Sequence, residues 1–261
     1  MIEQTYELRQ QVIQRELEWH EQESHRRYRL DALLYDSPAF DPVVNVGLGF
    51  LQFRSDELVL DMGCGEGKET LALAKQGLMV ISVDLSFTQL QRVRALVQEQ
   101  YQEAQVHFVQ ANAEQLPFAP HSFRIIYGKA ILHHLDLAYS AQQIQKLLQT
   151  NGRASFAEPM AHHPMIWLGR RLTPKLRTQD EHPLTNQEMS YFARQFPTAQ
   201  ESEFYLFTPI SYIFRIFPKH EGVFKWVHTH LNRLDNWFMK TIPACKRFAW
   251  YKVVNIQGVR F

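Results

Sequence analysis

Short apolar runs recur between residues 58 and 160, each closed by a polar or glycine-rich stretch. They are Leu58-Val59-Leu60, Met79 to Val83, Val106 to Val109, Ser122 to Tyr127 and Ala154 to Ala157. Runs of this length with such flanks predict buried strands. Between the first two, Thr70, Leu71, Leu73 and Ala74 fall at the spacing of an amphipathic helix. Leu58 to Asp84 therefore reads as strand, glycine turn, helix, strand, which is one βαβ unit. Upstream, Ile2, Tyr6, Val12, Ile13, Leu17, His20 and His25 recur at roughly helical spacing and predict one or two helices ending near Asp36-Ser37-Pro38. Downstream, the alternation over Glu201 to Phe207 predicts a sixth strand, and Lys252 to Phe261 a seventh.

The first turn carries the chemistry. Asp61 ends the first strand, and Gly63, Gly65 and Gly67 follow within five residues. Glycines let the backbone turn sharply and let a ligand approach its N–H groups. An acid ending the second strand, Asp84, is placed to reach a ribose diol. The pattern Asp61-x-Gly63-Cys64-Gly65-x-Gly67 differs from the dinucleotide fingerprint Gly-x-Gly-x-x-Gly in the spacing of its glycines and in the acid inside the turn. An acid suits a pyrophosphate badly and a cationic ligand well, and S-adenosylmethionine carries a sulfonium and an ammonium group.

At these residues the sequence resembles the class I S-adenosylmethionine-dependent methyltransferases, whose first motif is a hydrophobic strand running into Asp-x-Gly-Cys-Gly-x-Gly. Four further segments match in order. Gln110 to Phe118 resembles the adenine-binding Asp-Ala-x-x-Leu-Pro-Phe, with Asn112 where the family most often has Asp. Phe123 to Tyr127 leads into Gly128 to Leu135 with its Leu-His-His, Leu147 to Arg153 resembles the turn Leu-x-Pro-Gly-Gly-Arg, and the fifth strand ends at Glu158-Pro159. The resemblance implies a doubly wound α/β fold with a seven-stranded, mostly parallel sheet whose seventh strand is antiparallel. It implies S-adenosylmethionine as cofactor and S-adenosylhomocysteine as product. It places Asp61 and Gly63 toward the methionine end, Cys64, Gly65 and Gly67 in the turn beneath, and Asp84 at the ribose. Leu85 and Ala113 fall at the adenine faces, Asn112 at the adenine edge beside Glu114, and Lys129 in the loop near the methionyl part. A lysine beside a sulfonium is unfavourable unless it points away or pairs with an acid.

Around this core at 41–160, residues 1–40 are expected as a helical extension or lid, and 161–261 as the rest of the sheet with two substrate-side insertions. The first insertion, 160–198, is dense in polar groups, among them His162, His163 and His182. Adjacent histidines on a loop match no standard zinc spacing, so no metal is expected. The second, 208–251, interleaves aromatics such as Phe224, Trp226, Trp237 and Trp250 with Lys225, Arg233, Lys240 and Arg247. Three readings stay open for it: a helical cap on the core, a wall for a hydrophobic acceptor or a dimer contact, and an amphipathic helix on an anionic membrane surface. In each of them the aromatics are covered by something.

Of the 261 residues, 28 are Lys or Arg against 27 acids, a formal net charge of +1, which gives no bias toward nucleic acid. Two cysteines, Cys64 and Cys245, allow no disulfide framework and point to a reducing cytoplasm. The N-terminus lacks the order of a secretory signal, and no uncharged apolar run approaches the ~18 residues of a membrane span. The expectation is a soluble enzyme moving a methyl group to oxygen or nitrogen of a small-molecule acceptor of secondary-metabolite or glycolipid type. Carbon methylation of a quinone or lipid, and a non-catalytic scaffold role, are the alternatives. A hydroxyl acceptor calls for a general base, and histidine is the usual choice. Among His20, His25, His133, His134, His162 and His182, the lid's His20 and the insertion's His182 are the chosen candidates, with Glu158 as orienter or base. His133 and His134 lie in a motif shared by enzymes of many substrates and are read as structural or cofactor-adjacent.

Overall fold

The computed structural model describes residues 2–22, 41–172, 182–216 and 221–259. Seven strands, β1 (Leu58–Met62), β2 (Met79–Asp84), β3 (Val106–Gln110), β4 (Phe123–Lys129), β5 (Leu148–Pro159), β6 (Gln200–Phe204) and β7 (Tyr251–Gln257), form one sheet in the order β3-β2-β1-β4-β5-β7-β6. β1 to β5 run parallel, and β7 is antiparallel to both β5 and β6. This is the expected seven-stranded α/β sheet. Strand order reverses outward from β1 and β4, and ligands in such sheets lie in the crevice at the carboxyl ends beside that switch point.

Alternation along the strands sends neighbouring residues to opposite faces. Leu60, Ile126 and Phe156 join Ile144 and Leu147 of α5 (Leu137–Leu147) and Met189 and Phe192 of α7 (Asn186–Arg194) in one buried cluster. Val59, Ile125 and Tyr127 face the other way, against Leu51 of α2 (Asp41–Leu51) and Leu73 of α3 (Lys68–Ala74). α2 had no counterpart in the sequence reading, which assigned no element to 41–57. Val43, Gly47 and Leu51 make its buried side at four-residue spacing, and a Cβ on Gly47 would lie 2.7 Å from Ser155 Oγ, so glycine lets this helix lie close on β5.

Three of the helices start on a side-chain cap. Ser86 caps α4 (Phe87–Gln100) by accepting Gln89 N–H, and Asp136 caps α5 by accepting Ala138 and Tyr139 N–H. Thr185 and Glu188 form a reciprocal capping box on α7. Such caps stabilise a helix by about 1 kcal/mol each.

Boundaries moved at several strands; β7 is Tyr251–Gln257, shorter than the expected 252–261, and β4 runs on to Lys129. β5 begins at Leu148, six residues earlier than the apolar run suggested, because Leu148 already pairs with Phe123; a register shift follows before Ile125 meets Arg153. Asn151, at φ 64°, turns the chain within that irregularity. β6 stops at Phe204, and Tyr205 turns out of it at φ 66°.

The N-terminal helix α1 (Ile2–Gln22) is described, whereas the cluster around His25 and the expected stop at 36–38 lie outside the described residues, as do 173–181 of the first insertion. That insertion contributes α6 (Pro164–Leu172). The long second one contributes a 3-10 segment over Thr208–Ile216, the helix α8 (Glu221–Thr241) and a 3-10 turn over Pro243–Phe248. α8 turns Phe224, Asp235 and Met239 inward. The Asp235 carboxylate, fully buried, accepts the N–H groups of Leu206 (2.8 Å), Phe207 (2.7 Å) and Thr208 (3.1 Å) and the Thr208 hydroxyl (2.6 Å). His163 sits at the other side of that loop, its Nε2 3.0 Å from Leu206 O and its Nδ1 accepting Met165 N–H. Burial holds its pKa below the ordinary histidine range, in keeping with a neutral ring that stacks on Trp250. No helix among the described residues is long and apolar enough to cross a membrane.

Candidate active site

A cavity of about 380 Å³ opens at the carboxyl ends of β1, β2 and β4, within the range of about 300–1,000 Å³ usual for small-molecule sites. Its floor at one end is the glycine turn. Gly63 and Gly65 have φ of 78° and 48°, values that glycine adopts at little cost, and a Cβ on Gly63 would meet Ile131 at 2.5 Å. Nothing lies within 4 Å of where a Cβ on Gly65 would stand, and Gly65 lines the cavity. Gly67, at φ 78°, caps α3, and a Cβ there would strike Val93 at 2.5 Å.

Asp84 lies where β2 ends and lines the cavity. Its Oδ2 accepts Gly65 N–H and its Oδ1 accepts Ser86 N–H, both at 2.9 Å, so the carboxylate also ties the turn to the start of α4. Oδ2 also accepts weakly from Cys64 Sγ at 3.9 Å, and Oδ1 keeps a further lone pair. Leu85, Asn112 and Ala113 continue the wall. The amide oxygen of Asn112 accepts Glu114 N–H at 2.9 Å, which fixes the side chain's orientation by chemistry, because a backbone N–H needs an acceptor.

Of the residues assigned to the cofactor from the sequence, Gly63, Cys64, Gly65, Asp84, Leu85, Asn112, Ala113 and Lys129 line the cavity; Asp61, Gly67 and Glu114 stand behind its wall. Asp61 is buried and accepts a hydrogen bond from Thr70. Burial first, then the Glu69 and Asp84 charges, raise its pKa to about 7, against the Thr70 bond and Lys129. Burial and the neighbouring acids Asp84 and Asp61 push the Cys64 thiol well above its usual range, so it stays protonated. Lys129 pairs with Glu69, which answers the difficulty its charge raised. Four acids (Glu16, Glu66, Glu69, Asp84) and three bases (Arg9, Lys68, Lys129) line the cavity, and Lys68 pairs with Glu66 at 3.2 Å. That balance fits a cationic ligand.

At the other end, His133 and Glu158 come together from positions 25 residues apart. Glu158 is wholly buried at the end of β5; its Oε1 accepts Ile131 and Leu132 N–H, both at 2.8 Å, and its Oε2 lies 2.7 Å from His133 Nδ1. A carboxylate only accepts, so Nδ1 carries the proton and Nε2 is the ring's acceptor. His133 lines the cavity, beside His134, Pro159 and Tyr251.

Of the two histidines chosen from the sequence, His182 does not line it. It is exposed, and its Nε2 faces Glu188 Oε1 at 3.2 Å, so it extends the capping box of α7. Although burial raises the Glu188 pKa, the Thr185 and His182 bonds bring it below the usual carboxylate value. His20 belongs to α1, and its side chain lies outside the described residues. His162 is exposed.

The roof was not legible in the sequence at the level of residues. Arg9, Val12, Ile13 and Glu16 of α1 line the cavity. Arg9 forms a two-pronged ion pair with the buried Glu114 and donates to His134 O at 3.2 Å, while Glu16 lies 3.1 Å from His134. At the far end of α1, Glu21 accepts from the Ser86 hydroxyl (2.8 Å) and from Thr88. Burial opposes its ionisation, but these donors hold its pKa below normal. Arg9 and Glu114 are 105 residues apart, a pairing no local motif encodes; the stripe of Val12, Ile13 and Leu17 was the only signal.

Residues 60–156 match the model of a methyltransferase domain family. These residues form a class I S-adenosylmethionine-dependent methyltransferase domain. The O-methyltransferase resE of Aspergillus sclerotiorum is 34% identical over 110 residues, 41% of this chain and 42% of that protein. The chain thus spans less than half the length of the curated relatives it matches first. Among solved structures, phosphoethanolamine N-methyltransferase 2 of Haemonchus contortus, in complex with S-adenosylmethionine, superposes with a TM-score of 0.66 at 15% identity over 94% of this chain and 60% of that one. Geranyl diphosphate C-methyltransferase of Streptomyces coelicolor gives 0.57 at 15% identity over 85% and 79%. These two likenesses concern the fold, and the three names span oxygen, nitrogen and carbon as the methylated atom. Membership of the domain family does not by itself select an acceptor.

Proposed function

We propose that the protein transfers the methyl group of S-adenosylmethionine to an oxygen or nitrogen of a small-molecule acceptor, with His133 as the base and Glu158 as its orienter. The observation that carries the reading is His133, which lines the same cavity as the glycine turn and Asp84 and is held from behind by the buried Glu158. The match to a relative named as an O-methyltransferase favours oxygen. Of the two histidines chosen from the sequence, His182 is turned away to the cap of α7 and the side chain of His20 lies outside the described residues, whereas His133 lines the cavity.

In this reading Asp84 accepts from the ribose diol through the remaining lone pair of Oδ1, and Leu85 and Ala113 flank the adenine. Asn112, whose oxygen already serves Glu114 N–H, offers its amide N–H₂ to the adenine edge as well as the second lone pair of that oxygen. Asp61 and the acids of the turn favour the cationic end. Residues 1–40 are assigned as lid, of which α1 lines the cavity with Arg9 and Glu16 and is tied beside it by Glu21; 41–160 bind the cofactor, and 161–261 complete the sheet and the acceptor side.

The cofactor supplies an electrophilic methyl group on a sulfonium. The protein's part is alignment, exclusion of water and management of one proton. With that methyl group supplied and the cofactor leaving as its neutral thioether, the acceptor's proton would pass to His133 Nε2. Glu158, at 2.7 Å from Nδ1, stabilises the imidazolium so formed.

The test has two arms. Calorimetric titration with S-adenosylmethionine should show binding that Asp84→Ala abolishes. Transfer of labelled methyl to small-molecule acceptors should fall by about 10²–10⁴ in His133→Ala with cofactor binding retained. An intact protein that binds no S-adenosylmethionine would sink the proposal.

A further inference from the structure

α8 carries two tryptophans on its outward side. Trp226 and Trp237 are 63% and 57% exposed, although burying an indole is among the larger apolar gains available to a chain. Eleven residues are three helical turns plus about 20°, and seven residues fall about 20° short of two turns. Trp226, Arg233, Trp237 and Lys240 therefore share a stripe about 60° wide, with Arg233 and Lys240 exposed beside the indoles. The acids of α8 stand elsewhere: Asp235 is buried under the helix, and Glu221 pairs with Lys225 at 2.7 Å. The stripe is thus aromatic and cationic, with no acid in it.

We infer that this face of α8 docks the protein on an anionic lipid surface. Indoles at a lipid–water boundary bury their rings while keeping the N–H wet, and bases beside them meet lipid phosphates. Charge decides between lipid and a second copy of the chain. In a two-fold contact the stripe would meet its own copy, which offers Arg233 and Lys240 no acid, whereas an anionic surface neutralises them. The platform is firm, because Asp235 fastens the middle of α8 through four hydrogen bonds to residues 206–208. α6 repeats the chemistry: Trp167 is 57% exposed with Arg171 5.3 Å over its ring, and the residue before that helix, His163, contacts Leu206, which Asp235 also binds. No described helix is long and apolar enough to cross a bilayer. The lipid contact stands independently of the methyl-transfer reading.

The experiment is co-sedimentation of the whole protein with vesicles of phosphatidylcholine alone and with phosphatidylglycerol added, together with indole emission. Binding to the phosphatidylglycerol vesicles with a blue shift is expected, falling as salt is raised. Arg233→Glu and Lys240→Glu should each weaken it by at least about fivefold. Trp226→Ala/Trp237→Ala should abolish the blue shift and most of the binding while leaving the thermal melt unchanged, since both side chains are exposed. No sedimentation with anionic vesicles at low salt would overturn the inference, as would binding that the tryptophan pair does not affect. So would light scattering that shows a dimer which the same pair dissolves, because the occupant would then be a second copy.

Discussion

Binding of S-adenosylmethionine should expel a proton from Asp61. In the ligand-free protein this carboxyl is buried behind the glycine turn with a pKa of about 7. A cation brought close to a carboxylate lowers its pKa by about 1–3 units. Taking two units, the pKa falls to about 5 on binding. At pH 6 about 0.8 proton would be released per cofactor bound, and affinity would be about eightfold weaker than at pH 7.5. Calorimetry at pH 6 in buffers of different ionisation enthalpy reads the proton directly. Asp61→Asn, which cannot titrate, should flatten both the pH dependence and the buffer dependence, and S-adenosylhomocysteine, lacking the sulfonium, should show a smaller effect. The same group sets a stability trend of defined sign. Between about pH 4 and pH 7 the folded state keeps a proton that the unfolded chain has lost, so stability falls as pH rises, by about 1.4 kcal/mol per unit from this group. Affinity independent of pH between 6 and 7.5 in the wild-type protein would refute the reasoning.

Three other outcomes follow from single contacts. Asp235→Ala leaves three backbone N–H groups and the Thr208 hydroxyl without their acceptor and should cost about 3–5 kcal/mol, read by urea unfolding, with S-adenosylmethionine affinity kept. Gly67→Ala forces a left-handed residue against Val93 and should cost about 1–3 kcal/mol in the same assay, besides weakening cofactor binding. Glu158→Gln turns an amide N–H₂ toward His133 Nδ1 and so moves the ring proton to Nε2; nitrogen NMR of labelled histidine should report the changed tautomer, and methyl transfer should fall with it.

The left half of the sheet was legible because its information is local. Strand, turn and helix from Leu58 to Asp84 each carry their own signal, and glycines at 63, 65 and 67 stand where positive φ or close packing demands them. The acceptor side was not, because its decisive contacts join distant residues. His133 and His134 look alike in sequence, and only the fold gives His133 the carboxylate of Glu158. His182 looked like a site residue because an insertion rich in polar groups surrounds it, yet its partner is the capping Glu188. α8 inverts the usual rule that aromatics go in and acids go out. Asp235 is buried because the turn out of β6 leaves three N–H groups pointing at it, and Trp226 and Trp237 consequently fall on the far side. The expectation that the aromatics of 208–251 are covered holds for Phe224 and Trp250 and fails, within this chain, for those two indoles and for Phe248.

Glu158 shows how the two halves meet. It ends β5, where the parallel part of the sheet gives way to the antiparallel β7, and it pairs in register with Lys252. One of its oxygens fastens the loop after β4 through Ile131 and Leu132, and Ile131 in turn packs where Gly63 can carry no Cβ. Its other oxygen fixes His133. A glutamine could satisfy the loop but would present a donor to the histidine, and an aspartate is one methylene shorter than the reach these bonds use. A fully buried carboxylate costs free energy unless it is hydrogen-bonded, and here three donors converge on it. The burial is therefore consistent only if this loop, the glycine turn and the histidine are set together, so that the geometry for holding the cofactor and the geometry for taking the acceptor's proton rest on one side chain.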